Sequence, residues 1–137
     1  MEFDALRPLD IGSLTAVTLS LVVGLAALPS LPSEVAIHWA ADGSPNTVLP
    51  ALLGVLVTPV LALLTFAYLR GGALTGRSAE LGPTTGLAVV AGVAYLQVAM
   101  VALNLGVAVS PLVAVAPTVI VVLSATYAER SGTVSGA

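Results

Sequence analysis

Three long stretches of the sequence contain no charged residue, and they constrain the fold more than any other feature. They comprise residues 11–33, 43–69 and 81–128. A helix that crosses a bilayer needs about 20 apolar residues, and a charge at its centre costs roughly 2.5–3.5 kcal/mol on insertion scales. Charged residues make up only 8% of the chain, against about 25% in a soluble domain, which is too few to cover a soluble surface. The sequence therefore predicts an integral membrane protein.

The length of the third stretch indicates how many helices to expect. As one helix, residues 81–128 would extend roughly 70 Å, more than twice the hydrocarbon core of about 30 Å. A break is expected at 106–111, where Ser110 can cap a helix that begins at Pro111. We therefore predict an all-α fold, a four-transmembrane-helix bundle in a single membrane domain over residues 1–137. The four predicted spans are about 11–28, 49–69, 86–107 and 111–128.

The distribution of arginine predicts the topology. With four spans, all the cations of the chain fall on one side of the membrane: Arg7, Arg70, Arg77 and Arg130. The positive-inside rule then makes both termini and the loop 70–84 cytoplasmic, and places the loop 29–48 outside. The segment before the first span carries more acids than cations, unlike a secretory signal peptide, so we expect a retained span. The predicted location is the cell membrane, as a multi-pass protein.

Small residues predict close helix packing, within the chain or in a homo-oligomer. Stripes spaced by four residues occur in the first and second spans: Gly12, Ala16, Ser20 and Gly24, then Gly54, Thr58 and Ala62. Helices in lipid associate through such close backbone contacts. Pro59 and Pro117 lie inside spans and free the carbonyls of Val55 and Val113, which the Thr58 and Thr118 hydroxyls are expected to help satisfy.

The predicted spans contain two strongly polar side chains and no charge. Gln97 and Asn104 lie two turns apart on nearly one face of the third span. One interpretation is a pair of interhelical hydrogen bonds, and the other is the lining of a path for a polar ligand.

The outer loop contains the remaining candidates for chemistry. Glu34, His38 and Asp42 have the spacing of one helical face and form a conceivable zinc ligand set. The β-branched residues of this segment and the sequence "DGSPN" instead favour an extended piece followed by a turn, which separates these side chains. Trp39 is expected at the membrane–water interface. We therefore expect no metal, no cofactor and no catalytic residue. The chain has no cysteine, and its net charge of −3 argues against nucleic acid as a partner.

The loop sequence "LPSEVAIHWAADGSPN" resembles the signature of SdpI-type membrane proteins, an immunity-protein family, in their N-terminal domain of unknown function (DUF1648). The matching residues are Leu31, Pro32, His38, Trp39, Gly43, Pro45 and Asn46, and the resemblance covers residues 11 to about 69. It implies a polytopic protein that protects its cell from a secreted toxic peptide and signals at the membrane.

Together these observations predict a non-enzymatic membrane protein that recognises a peptide toxin or a protein partner. The candidate recognition loop comprises Pro32, Glu34, His38, Trp39, Asp42, Gly43, Pro45 and Asn46. Two alternatives remain open. In the first, the chain is a small transporter or channel component with Gln97 and Asn104 facing the path. In the second, it is an accessory subunit of a larger membrane complex.

Overall fold

The described part of the chain consists of four long helices and one β-hairpin. A computed structural model describes residues 7–74 and 82–132. The elements are α1 (Pro8–Ala27, followed by a 3-10 turn at Leu28–Ser30), β1 (Glu34–Trp39), β2 (Pro45–Pro50), α2 (Ala51–Leu74), α3 (Pro83–Asn104) and α4 (Pro111–Arg130). Each of the four α-helices is long and apolar enough to cross a membrane, which confirms that part of the prediction.

The expectation of a purely helical fold is wrong between α1 and α2. There the predicted loop forms an antiparallel hairpin, with Val35 opposite Leu49 and Ala36 opposite Val48. β-Branched residues in both segments favour the extended backbone, and the polar turn between them reverses the chain. The sequence predicted the first extended segment and the turn, but not the second strand.

The helices also extend beyond the predicted spans and include charged residues. Asp10 lies in the first turn of α1, Arg70 near the end of α2, and Glu129 in the last turn of α4. A carboxylate in the first turn of a helix is favourable because it faces the positive end of the helix dipole, so the backbone can remain helical past the apolar stretch. Residues 75–81 of the predicted loop at 70–84, which include Arg77, lie outside the described residues.

α4 begins at Pro111, the residue that the sequence indicated, whereas α3 ends at Asn104 rather than near residue 107. Ser110 is the N-cap of α4, and its hydroxyl accepts a hydrogen bond from the Val113 N–H at 3.2 Å. Pro111 follows as the first helical residue, where its missing N–H is not needed.

α3 is the central helix of the bundle. It packs against α1, α2 and α4, and α1 also packs against α2. Glycines permit the closest approaches: a methyl group at Gly24 would collide with the side chains of Gln97 and Val55, and one at Gly92 would come within 2.9 Å of Thr118 Cγ2. The small residues therefore set the helix spacing, as small residues do in membrane helix bundles.

The helix ends gather into two groups, which we name the hairpin end and the charged end. The hairpin end comprises residues 28–50 with the neighbouring starts of α2 and α4 and the end of α3. A core of Val35, Val55, Met100 and Val101 lies there under the hairpin. The charged end comprises the starts of α1 and α3 and the last turns of α2 and α4.

Candidate functional site

The hairpin turn is stabilised by its own polar groups. The Asp42 carboxylate accepts hydrogen bonds from the Ser44 N–H at 2.9 Å and from the Ser44 hydroxyl at 2.6 Å. Gly43 has a φ of +89°, a left-handed conformation that disfavours other residues. The hydrogen bonds from Ser44 lower the pKa of Asp42 below its ordinary value. Asp42 is therefore a turn-forming residue with a stable negative charge.

Irregular strand pairing brings His38 and Asn46 together. The register shifts on either side of His38, so that Ile37 and Asn46 have no directly paired residue on the opposite strand. Such bulges reorient side chains. His38 Nδ1 lies 2.6 Å from Asn46 Oδ1, and because that oxygen accepts, Nδ1 carries the proton in this arrangement.

Asn104 connects the hairpin to α3. Its side-chain oxygen accepts a hydrogen bond from the Ala36 N–H at 2.8 Å, and its amide nitrogen donates to the Ala36 carbonyl at 2.8 Å. The side chain thus pairs with β1 as a neighbouring strand would. A methyl group at Gly54 would overlap Val35 Cγ2, so this glycine lets β1 lie directly on α2.

A groove of about 580 Å³ lies beside the hairpin, between α2 and α4 and above α3. Its hairpin wall includes His38, Trp39, Asp42 and Gly43 from the candidate recognition loop. Pro32, Glu34, Pro45 and Asn46 are exposed residues of the same segment. The structure therefore divides the predicted loop residues between the groove wall and the outer surface.

The helices supply the apolar walls of the groove. The lining residues are Val57, Thr58 and Leu61 of α2, Leu96, Ala99, Met100 and Leu103 of α3, and Pro111, Leu112 and Val115 of α4. A volume within about 300–1,000 Å³, mostly apolar walls and a few polar groups at one end are typical of binding pockets. The arrangement can accept an apolar segment with a polar end beside the hairpin.

Gln97 has a different environment from Asn104, although both were predicted on one helix face. Its side chain is fully buried, and Nε2 donates to the Val55 carbonyl at 2.6 Å and to the Ser20 carbonyl at 3.1 Å. The Val55 carbonyl lacks its usual helical donor because Pro59 has no N–H. Gln97 therefore satisfies the acceptor that the proline frees, and joins α1, α2 and α3.

The predicted roles of the two threonines beside the prolines differ from those observed. Gln97, rather than Thr58, donates to the Val55 carbonyl. Thr118 donates to the Gly92 carbonyl of α3 at 2.9 Å and so connects two helices. In both cases the hydrogen bond joins two helices instead of lying within one. Such bonds form because the small residues let the helix backbones approach each other closely.

The conceivable metal set does not assemble. No group of three His, Asp or Glu side chains that could hold an ion occurs within residues 7–74 and 82–132. His38 and Asp42 hydrogen-bond to Asn46 and Ser44 instead.

Sequence reasoning missed the polar contacts of the charged end. Asp10 is buried, and its carboxylate forms an ion pair with the Arg70 Nε at 2.9 Å and accepts a hydrogen bond from the Arg7 N–H at 2.8 Å. The Glu129 carboxylate caps α3 by accepting hydrogen bonds from the Thr84 and Thr85 N–H groups. The spacing of Arg7 and Asp10 could have indicated their local contact, whereas the pairing with Arg70 depends on tertiary structure.

Comparison with known proteins gives one result that bears on this site. Neither the curated proteins nor the solved structures include a match to this chain. Residues 15–63 match the family model described as a domain of unknown function (DUF1648). The matched segment runs from α1 through the hairpin into α2, and so contains Gly24, Gly54 and the hairpin wall of the groove, while Gln97 and Asn104 of α3 lie beyond it.

Proposed function

We propose that this chain is a non-enzymatic membrane protein that binds an apolar or amphipathic peptide segment in the groove beside the hairpin. The groove is the observation that carries the proposal, because it brings His38, Trp39 and Asp42 together with helix residues that could not be assigned to a site from the sequence. Recognition is favoured over catalysis because His38 and Asp42 hydrogen-bond to neutral side chains of the hairpin itself.

The arrangement of charge supports a topology for this proposal. Arg7, Arg70 and Arg130 belong to helix ends at the charged end, and the hairpin end has Glu34 and Asp42. By the positive-inside rule the charged end is cytoplasmic and the hairpin faces outward. A ligand from outside the cell then reaches the groove without crossing the membrane.

Accessibility labelling tests this topology directly. The chain has no cysteine, so Ala41→Cys in the hairpin turn and Ser131→Cys after α4 each introduce one thiol. We expect a membrane-impermeant maleimide to label the first variant in intact cells and the second only after lysis. Labelling of the second in intact cells would contradict the proposed orientation.

Site-specific photo-crosslinking tests occupancy of the groove. Leu112 lines the groove and is 78% exposed, whereas Leu64 is 59% exposed on α2 and is not among the groove residues. With benzoylphenylalanine at either position in living cells, we expect a peptide adduct at 112 and lipid adducts alone at 64. The peptide adduct should disappear in a Trp39→Ala background. Lipid adducts alone at both positions would contradict peptide binding.

Protection against a secreted toxic peptide is the specific role implied by the hairpin's resemblance to SdpI-type proteins. The matching residues Trp39 and Gly43 line the groove, which supports placing ligand contact there. The test is deletion of the gene in its own host. We expect increased sensitivity to the host's secreted peptides, restored by the wild-type chain and not by Trp39→Ala. Unchanged sensitivity would contradict the immunity role.

The transport alternative gains less support from the structure. Gln97 is fully buried between helices, and Asn104 is hydrogen-bonded to the hairpin backbone. A path along this helix face would have to break these contacts. Solute flux in vesicles that is lost in Gln97→Leu would favour transport over recognition.

A further inference from the structure

The groove beside the hairpin carries its charge at one end. Its walls along α2, α3 and α4 are mostly apolar, and of the described residues that line it Asp42 alone has a full charge. A methyl group at Gly43 would lie 3.7 Å from Pro111 Cδ, so the hairpin turn reaches the start of α4 and bounds this end of the groove. A peptide segment in the groove therefore meets a carboxylate where it meets the turn.

The Asp42 carboxylate has one oxygen available to a ligand. The Ser44 N–H and the Ser44 hydroxyl both donate to Oδ1, and Oδ2 accepts no hydrogen bond from another residue within 7–74 and 82–132. The hydrogen bonds from Ser44 lower the pKa of this carboxyl group, so it stays ionised near neutral pH. A carboxylate oxygen in this state pairs best with a cationic donor, such as an ammonium or guanidinium group.

Two neighbouring residues of the groove wall also favour a cation. Trp39 lines the groove, and the face of an indole ring attracts ammonium and guanidinium groups. His38 Nδ1 donates to Asn46, which leaves Nε2 of the neutral ring as an acceptor. A carboxylate, an aromatic face and an acceptor nitrogen suit a positively charged donor and not an anion.

The hairpin end has no cation of its own, within the described residues, to neutralise these groups. It contains the two acids Glu34 and Asp42, whereas the described arginines belong to helix ends at the charged end: Arg7, Arg70 and Arg130. A surface of one charge sign attracts ligands of the opposite sign. The charge complement of the groove is therefore expected from the ligand.

We propose that the groove selects peptide segments that carry a cationic group at the end beside the hairpin, either a lysine or arginine side chain or a free N-terminal amine. This inference rests on the proposed function and adds the charge of the ligand. The aliphatic stem of lysine or arginine can lie along the apolar wall while its charged group reaches the Asp42 carboxylate. Because Asp42 is exposed, we expect about fivefold in affinity from a solvated ion pair and a cation–π contact together.

Photo-crosslinking of the purified full chain to matched synthetic peptides tests the proposal. Benzoylphenylalanine replaces Leu112, which lines the groove, and the chain is kept in maltoside micelles, whose headgroups are uncharged. Three peptides share one apolar segment of leucine and alanine with blocked termini, and end in lysine, glutamine or glutamate. We expect half-maximal adduct at a concentration about fivefold lower for the lysine peptide than for the glutamine peptide, and highest for the glutamate peptide.

The outcomes separate this inference from the proposed function. Equal half-saturation by the three peptides, or a preference for the glutamate peptide, would overturn the selection of a cation and leave peptide binding in the groove intact. Absence of an adduct at position 112 with all three peptides would overturn both.

Asp42→Asn tests the residue that carries the selection. The asparagine side-chain oxygen can still accept hydrogen bonds from Ser44, so the turn keeps its acceptor while the charge is removed. We expect the lysine-to-glutamine preference to fall to about twofold or less. Glu34→Gln is the matched control, because it removes an acid of the same end that does not line the groove, and it should leave the preference at about fivefold. An equal decrease in both variants would show general attraction and overturn the assignment to the groove.

Salt provides a test that needs no substitution of Asp42. The Debye length falls to about 3 Å at 1 M salt, so the contribution of exposed charges is largely screened. Sodium chloride should therefore bring the half-saturating concentrations of the lysine and glutamine peptides together. A preference that is unchanged by salt would overturn the ionic basis of the selection.

Added lipid distinguishes a peptide from a lipid headgroup as the occupant. Phosphatidylethanolamine has an ammonium group in its headgroup, and phosphatidylglycerol has none. We expect equal amounts of the two lipids to reduce the lysine-peptide adduct to the same extent. Selective displacement by phosphatidylethanolamine would identify a lipid ammonium group as the occupant and overturn the assignment to a peptide.

Discussion

The two ends of the bundle are held together by different chemistry. At the hairpin end, the Asn104 amide pairs with the Ala36 backbone, and Gly54 lets Val35 lie against α2. At the charged end, Asp10 contacts Arg7 and Arg70, and Glu129 caps α3. Neutral hydrogen bonds and close packing need short, well-aligned contacts, whereas ion pairs tolerate small displacements. The end with neutral contacts borders the apolar groove, and the end with charged contacts borders a smaller cavity of about 140 Å³.

The largest effect is expected from removing the central acid of the charged end. Asp10→Ala deletes the carboxylate that both arginines contact. Loss of one member of a buried ion pair costs about 3 kcal/mol or more. We expect a decrease of about 3 kcal/mol in the free energy of unfolding, measured by detergent denaturation in mixed micelles, with Glu34→Ala as an exposed acid control. A loss of stability no greater than that of the control would show that the ion pairs of Asp10 do not hold the charged end together.

At the hairpin end, overpacking should have the next largest effect. Gly54→Val places a side chain in the space of Val35 and should destabilise the fold by about 2 kcal/mol, since inserted methyl groups typically cost about 1–3 kcal/mol. Val35→Ala in the same chain should recover part of the loss because it vacates that space. Denaturation of both variants measures the coupling. Strict additivity would indicate that the two residues do not contact as described.

Between the two ends, Gln97 and Pro59 should be energetically coupled. Gln97→Leu leaves the Val55 carbonyl without its donor, which should lower stability by about 1–2 kcal/mol. Pro59→Ala restores a backbone N–H to that carbonyl, so the glutamine substitution should be less damaging in that background. A double-mutant cycle measures the difference. If Gln97→Leu lowers the stability equally in wild type and in Pro59→Ala, Gln97 stabilises the bundle by other contacts.

Loss of the Asn104 contact should release the hairpin with a smaller effect on the bundle. Asn104→Leu removes both hydrogen bonds to Ala36 and should lower stability by about 1 kcal/mol, because such bonds average about 0.6 kcal/mol in membrane proteins. Trp39 is the only tryptophan of the chain, so its fluorescence reports the hairpin directly. We expect increased quenching by aqueous iodide. Unaltered quenching would show that the Asn104 hydrogen bonds do not hold the hairpin in place.

The smallest effect is expected from titration of the hairpin turn. Hydrogen bonds from Ser44 lower the pKa of Asp42 in the folded state below its ordinary value. A lowered pKa contributes stability that is present above the unfolded value and is lost as the pH falls through the folded one. The opening of the turn, measured by amide exchange at Ser44, should therefore be constant near neutral pH and increase only below about pH 4. Opening that begins near neutral pH would implicate another group, and Asp42→Asn provides the non-titrating control.

The predictable features of the fold follow from local energetics. Four helices followed from the lengths of the uncharged stretches, and the start of α4 followed from Ser110 and Pro111, because desolvation and capping act over short segments. The second strand was not predicted, since pairing depends on how two segments meet. For the same reason the sequence identified Trp39 and His38 as candidates but did not indicate the groove that Trp39, Leu61 and Leu112 share.

The sequence by itself determined that the chain forms apolar helices, because uncharged stretches of this length are stable in lipid whatever their neighbours. Only the tertiary structure decided the partners of the polar groups. Gln97 donates a hydrogen bond to the carbonyl freed by Pro59, Asn104 hydrogen-bonds to the hairpin backbone, and Asp10 forms an ion pair with Arg70. Each of these contacts joins residues far apart in the chain, and Gly24 and Gly54 allow the close approach at Gln97 and at the hairpin.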